Sequence, residues 1–164
     1  MARAVGQYHR VIVTMHIGAE GPAARHTRAV GERFAGERRG NSIAFARAAS
    51  EAGASLVIGH GPHVLRGIEW LGRTLVAHSL GNLLTYGPFS LRDYNGRAAV
   101  LCATLAADGS VTDAVVRPTR QIPPGIVSAD PDGLALRDLT ELTAADFPRT
   151  GAAIGADGSV TRRP

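Results

Sequence analysis

The stretch from Gly53 to Asn82, G-A-S-L-V-I-G-H-G-P-H-V-L-R-G-I-E-W-L-G-R-T-L-V-A-H-S-L-G-N, decides the fold. It begins with a short apolar run, Leu56-Val57-Ile58, which stops at Gly59. His60 and His63 follow, with Gly61 and Pro62 between them. Apolar residues of this kind hold a strand inside a sheet, and Gly and Pro then turn the chain sharply. In open α/β sheets ligands bind outside the carboxyl ends of the strands. The two imidazoles are therefore candidate site residues. An ordinary turn that carries two histidines is the other reading.

Upstream, Val11-Ile12-Val13-Thr14-Met15 is a β-branched run that reads as a buried strand, and it too stops at a histidine, His16, followed by Ile17-Gly18. A core histidine bonded to backbone is the alternative for His16. Between the two strands, Asn41 or Ser42 is a candidate N-cap, and Phe45, Ala48, Ala49 and Ala52 fall at helical spacing on one face. Gly53 supplies the left-handed residue that ends such a helix. Strand, crossover helix and strand make a βαβ unit with parallel strands. Their carboxyl ends then point the same way, which brings His16 towards His60 and His63.

Downstream, Leu65–Leu71 and Thr74–His78 read as a hairpin around Gly72, with Trp70 as a packing residue. Ser79 to Asn82 reads as a tight turn and residues 85–96 as an irregular loop. Ala98–Leu105 and Val111–Arg117 are strands joined across Asp108-Gly109, a strong hairpin signal. Pro118–Pro131 reads as a proline-rich connection. Gly133–Ala145 reads as a short helix with Leu134, Leu139 and Leu142 as its apolar contacts. The tail repeats Ala-Asp-Gly-Ser-Val-Thr of 107–112 at 156–161, and its last residues are expected to fray. Residues 2–8 read as the last turns of a helix. The long connection 21–40 has no clean apolar face, and such connections tend to be functional loops.

A chain of 164 residues with 45% hydrophobic content can bury a core and is not expected to be disordered. All eighteen basic residues are arginine. Residues 1–99 carry +6 and residues 100–164 carry −2, a basic front half that suits an anionic or phosphorylated substrate, small or polymeric. The charge is too interspersed with Glu for nucleic acid, which needs a clustered basic stripe with aromatic platforms. Cys102, the one cysteine, excludes a disulfide framework and reads as a buried, inert thiol. No membrane span is expected, nor a signal peptide in Met1–Gly6, so the chain is either cytoplasmic, as it is written, or missing its natural start.

Three histidines at strand ends favour a divalent metal, Zn, Mn or Fe, over a triad. No G-x-S-x-G is present to carry a nucleophile, and the pair His78-Ser79 is weak. A mononuclear site of His16, His60 and His63 is one option. A two-metal hydrolase would need carboxylates as well. The nearby acids are Glu20 and Glu69, neither in an obvious bridging position.

The segments V-I-V-T-M-H-I-G-A-E-G (11–21), A-G-A-S-L-V-I-G-H-G-P-H-V (52–64), I-E-W (68–70) and H-S-L-G-N (78–82) resemble the CapA family of capsule and poly-γ-glutamate synthesis, in the calcineurin-like metallophosphoesterase superfamily. The resemblance covers about residues 5–120. It implies an α/β fold, part of an α-β-β-α sandwich with a parallel βαβ unit plus antiparallel hairpins. It implies a dinuclear metal centre between the strand ends and a metal-dependent phosphoesterase-like hydrolase. His16 matches the family's strand-end ligand, and His60 and His63 match the pair that ends its pattern. Asn82 is expected near the site, and Glu20 beside it, as supporting residues. Family members are often anchored at the cell surface.

The same resemblance implies a first half with a G-D motif, a following acid and an N-N-H motif, and none of these precedes Val11. Residues 1–120 are therefore expected to match the second half of such a domain, and 121–164 to form an extension with a short helix and a hairpin. A partner chain supplying the other half, a non-catalytic assembly role, and an incomplete domain without its own function all remain as readings.

Overall fold

The computed structural model describes residues 2–86 and 90–163; Gly87, Pro88 and Phe89, within the expected 85–96 loop, lie outside the described residues. The chain opens with helix α1 (Ala2–Gln7) and strand β1 (Ile12–His16). The long connection carries a 3-10 turn at Pro22–Ala24 and a small hairpin, β2 (Glu32–Phe34) and β3 (Glu37–Gly40). Helix α2 (Ser42–Glu51) follows, capped as expected by Asn41, whose Oδ1 accepts from the Ala44 N–H at 3.0 Å. Gly53 beyond it has φ +90°, the left-handed conformation that closes the helix. Then come β4 (Leu56–His60), β5 (Leu65–Leu71) and β6 (Thr74–Leu80). Strands β7 (Arg97–Leu105), β8 (Val111–Ile122) and β9 (Ile126–Ala129) precede helix α3 (Leu134–Asp146) and a closing hairpin, β10 (Ala153–Ile154) with β11 (Val160–Thr161).

The expected parallel unit is present. The first sheet runs β1-β4-β6-β5, with β1 parallel to β4, β4 parallel to β6, and β5 antiparallel to β6. The second sheet is the antiparallel set β7-β8-β9, joined to the first by a bridge between Gly81 and Ala98. One face of the first sheet is covered by α2, through Met15, Ala46, Ala49, Val57 and Val76. On the other face Leu56, Leu65, Ile68, Leu75 and Ala77 pack with Ala99 and Val116 of the second sheet and with Ala135, Leu139 and Leu142 of α3. Each large apolar side chain so buried contributes about 1.5–3 kcal/mol. The chain is thus a mixed α/β sandwich. The segment after residue 120 takes part in the same core, through α3 and Val160.

Several expectations are corrected. β1 is an edge strand, not a buried one: only Met15 is buried and Ile12 is 54% exposed. On α2 the core face is Ser42, Ile43, Ala46 and Ala49, while Phe45 and Ala48 are exposed; the four positions chosen from spacing share only Ala49 with it. The turn expected at Ser79 starts later, because β6 continues to Leu80. Pro118 does not end β8, which runs on to Ile122 and pairs with β9 where a loop was expected. On α3 Ala135 takes the core position expected for Leu134. The tail does not fray at Val160, which is buried, nor at Arg162, whose guanidinium lies 4.1 Å over the Trp70 ring and donates to Gly72 O at 2.6 Å. Cys102 is exposed. No helix among the described residues is long and apolar enough to cross a membrane.

Candidate functional site

The three parallel strands deliver their carboxyl ends to one end of the first sheet. His16 and His60 are register partners across β1 and β4. Val13 and Met15 pack on the α2 side, so alternation puts Ile12, Thr14 and His16 on the opposite face. Leu56 and Ile58 face that same side from β4, and His60 follows them in the alternation. Both histidines are exposed. The strands continue the pairing one step further, with the Ile17 N–H donating to His60 O at 2.8 Å.

Gly61 sits directly beneath the first imidazole. A Cβ there would lie 3.0 Å from His16 Cδ2 and 3.2 Å from His16 Nε2, and its φ is +112°. A side chain at this position would therefore be strained and would press on the ring. His63 is also left-handed, with φ +55°, an uncommon conformation for a residue with a Cβ. Its Nδ1 lies 3.1 Å from Glu20 Oε2, and Glu20 Oε1 accepts from Arg39 Nη2 at 2.5 Å. Glu20 thus joins two segments, the loop after β1 and the loop after β4, with Arg39 of β3 holding its second oxygen.

Asn82, which follows the carboxyl end of β6, and Glu69 on β5 have partners of their own. Asn82 is buried at the end of β6, and its side chain accepts from Thr85 Oγ1 at 2.5 Å and donates to Asn95 O at 3.5 Å. Its carbonyl accepts from Gln121 Nε2, so Asn82 organises the segment between β6 and β7. Glu69 is buried between His78 Nε2, 3.0 Å from Oε1, and Thr150 Oγ1, which donates to Oε2 at 2.5 Å. The His78 ring stacks on Phe147 at 4.8 Å between centroids. The pair His78-Ser79 therefore serves the core. Among the described residues no group of three or more His, Cys, Asp or Glu side chains is arranged to hold one metal ion. The side chains present at the strand ends do not complete a metal cage by themselves.

Sequence reasoning missed the centre of the neighbouring network. Arg66 on β5 is fully buried. It donates Nη1 and Nη2 to Glu32 Oε1 and Oε2 at 2.8 and 2.7 Å, and Nε to Ala24 O at 2.8 Å. The Ala19 N–H donates to Glu32 Oε2 at 2.7 Å. Burial pushes the Glu32 carboxyl up, but the Arg66 and Ala19 hydrogen bonds and the Arg66 charge outweigh it and hold the group below its ordinary range. Arg25 donates to Asp138 at 3.0 Å, and Asp146 takes His26 Nδ1 at 2.7 Å and the Thr27 N–H at 2.8 Å. The long connection is thus fastened to β5 and α3, and it holds Glu20 against His63. The available signal was Arg66 itself: an arginine between Leu65 and Ile68 in an apolar strand must find a partner.

Two comparisons with known proteins bear on the family of this chain. A stretch of 40 residues is 50% identical to the PGA biosynthesis protein CapA of Bacillus subtilis (strain 168). The alignment takes in 24% of this chain and 10% of that protein, so the chain matches only about a tenth of its curated relative's length. The profile of the bacterial capsule synthesis protein family PGA_cap matches residues 1–86, just over half of the chain, and spans β1, β4 and every histidine of the strand-end cluster; the chain belongs to that family.

Proposed function

We propose that the chain acts in the synthesis of a bacterial capsule polymer of the poly-γ-glutamate type. In this reading the strand-end histidines are one side of a metal-dependent, phosphoesterase-like centre. The observation that carries it is the pairing of His16 with His60 in register, together with the contact of His63 with Glu20 between the loops that follow the two strands. Imidazoles on one sheet face at the carboxyl ends of parallel strands form a common setting for divalent metals. The remaining ligands would come from outside the described residues, for instance from a strand that pairs with the edge of β1. β1 is an open edge, and Ile12, Thr14 and His16 are exposed on the face that bears the site. An unpaired edge of this kind is a template for another strand.

The test is direct. The chain is titrated with Mn, Fe and Zn by calorimetry, alone and with candidate partner segments, and generic phosphomonoesters and phosphodiesters are assayed in parallel. Binding that disappears in His16→Ala and His60→Ala supports the reading. No metal binding and no hydrolysis under any of these conditions would remove it. A second reading, a non-catalytic assembly role in capsule synthesis, is favoured by the incomplete ligand set among the described residues. In cells it predicts that His16→Ala and His63→Ala leave polymer production unchanged.

A further inference from the structure

Beside Glu20, a cleft of about 480 Å³ lies between the 3-10 turn and the β2–β3 hairpin. Its walls include Glu20, Arg28, Val30, Glu32, Arg33 and Phe34. The two acids are already neutralised. Glu32 is clasped by Arg66 and Glu20 by Arg39. The cations are not. Among the described residues Arg28 makes no hydrogen bond or ion pair, and Arg33 donates only to Gly36 O, within its own hairpin, at 3.0 Å.

The hairpin adds a second, independent sign. Arg33 stands directly opposite Arg38 in the β2–β3 register, and both are exposed. Like charges facing each other across a ladder are destabilising. Arg33 is the member of this pair that lines the cleft, and an anion held against it offsets that repulsion. Apart from His26, which is bound to Asp146, the remaining walls are apolar, and Val30 and Phe34 are 55% and 38% exposed. A small inorganic anion would leave those walls in water. A chain with carboxylates separated by methylenes would place its charges on the guanidinia and its spacer on Val30 and Phe34, since arginine matches carboxylate geometry bidentately.

We propose that this cleft binds a carboxylate-bearing chain with aliphatic spacers, the chemistry of a γ-linked glutamyl oligomer. The choice of oligomer rests on the capsule-polymer reading, but the site requires no metal. The experiment is calorimetric titration of the full chain with γ-linked tetraglutamate, at low salt and in the presence of a chelator. Saturable binding is expected, and it should weaken as salt rises. Arg28→Ala and Arg33→Ala should each weaken it about three- to tenfold, and the pair together more. Val30→Asp should weaken it through the apolar wall.

All three positions are exposed, and unchanged melting confirms that the variants fold. Absence of binding would overturn the proposal, as would binding indifferent to Arg28 and Arg33. Displacement of the oligomer by equimolar inorganic phosphate would overturn it too, leaving a simple anion site. His16→Ala and His60→Ala should keep full oligomer affinity. Failure of the metal centre and failure of this cleft are thus read out separately.

Discussion

Arg66 and Glu32, thirty-four residues apart, form a two-point ion pair at 2.8 and 2.7 Å beneath the loop that carries Glu20. Arg66 is fully buried, so its charge depends on this partner and on the Ala24 carbonyl. Removing one member of such a pair leaves an uncompensated charge. Glu32→Ala should therefore cost about 3 kcal/mol, seen as a lower urea midpoint with an unchanged slope. The double variant Glu32→Leu/Arg66→Met removes both charges and should be less destabilised than the sum of the single changes. Additive losses would show that the two residues are not coupled.

The same pair gives the fold an acid dependence. Burial raises the Glu32 carboxyl, yet the hydrogen bonds from Arg66 and Ala19 and the Arg66 charge hold it below its ordinary range. A depressed folded-state value stabilises the fold fully above the unfolded-state value. That contribution is lost as pH falls through the folded-state value. Wild-type melting temperature should drop on acidification, and Glu32→Gln should show a shallower drop from a lower starting point. Asp108 and Asp157 are also held low, by hydrogen bonds from Ser110 and Ser159, and they contribute equally to both proteins. Identical acid slopes in the two proteins would remove Glu32 as the responsible group.

How much of this was legible in the sequence follows from the range of each interaction. Local chemistry read well: the Asn41 cap, the Gly53 stop, and the hairpins at Gly72 and Asp108-Gly109 are set by neighbours in the chain. The parallel pairing of β1 and β4 followed from the handedness and length of a crossover, and it placed His16 beside His60. What failed depended on tertiary surroundings. Ile12 looks like a core residue by type but lies on an open edge. Pro118 reads as a strand breaker, yet β8 carries it on to the partner β9. The side-chain partners of Asn82, Thr85 and Asn95, were not legible in the sequence either. The Arg66–Glu32 and Arg25–Asp138 pairs join segments 34 and 113 residues apart, which no local pattern encodes.

Cys102 illustrates the same limit and yields a simple measurement. Its apolar neighbours on β7 argued for a buried thiol, but strand alternation turns it outwards and it is exposed. The native chain should therefore react with a thiol reagent such as DTNB at one equivalent, at a rate close to that of a small free thiol. Cys102→Ser should change stability by less than about 0.5 kcal/mol, as expected for a surface substitution. A thiol that titrates only in denaturant would return Cys102 to the core.

Gly61→Ala probes the strand-end histidines without replacing any candidate ligand. The added methyl would meet the His16 ring at 3.0 Å and the Ile17 nitrogen at 3.2 Å, at a φ of +112° that side chains rarely adopt. The backbone strain should cost about 1–3 kcal/mol, read from thermal unfolding. More specifically, the His16 imidazole, beside its register partner His60, must shift to make room for the methyl. If the two rings share a metal ion, Gly61→Ala should lower metal affinity about tenfold, the usual effect of disturbing a residue that orients a ligand. Gly36→Ala is the matched control: it lies at φ +83° on the exposed hairpin, and nothing stands within 4 Å of its added Cβ. It carries comparable backbone strain and should leave metal affinity unchanged. Equal effects of the two substitutions on metal affinity would mean that strain alone is responsible, and that His16 and His60 do not act as a pair.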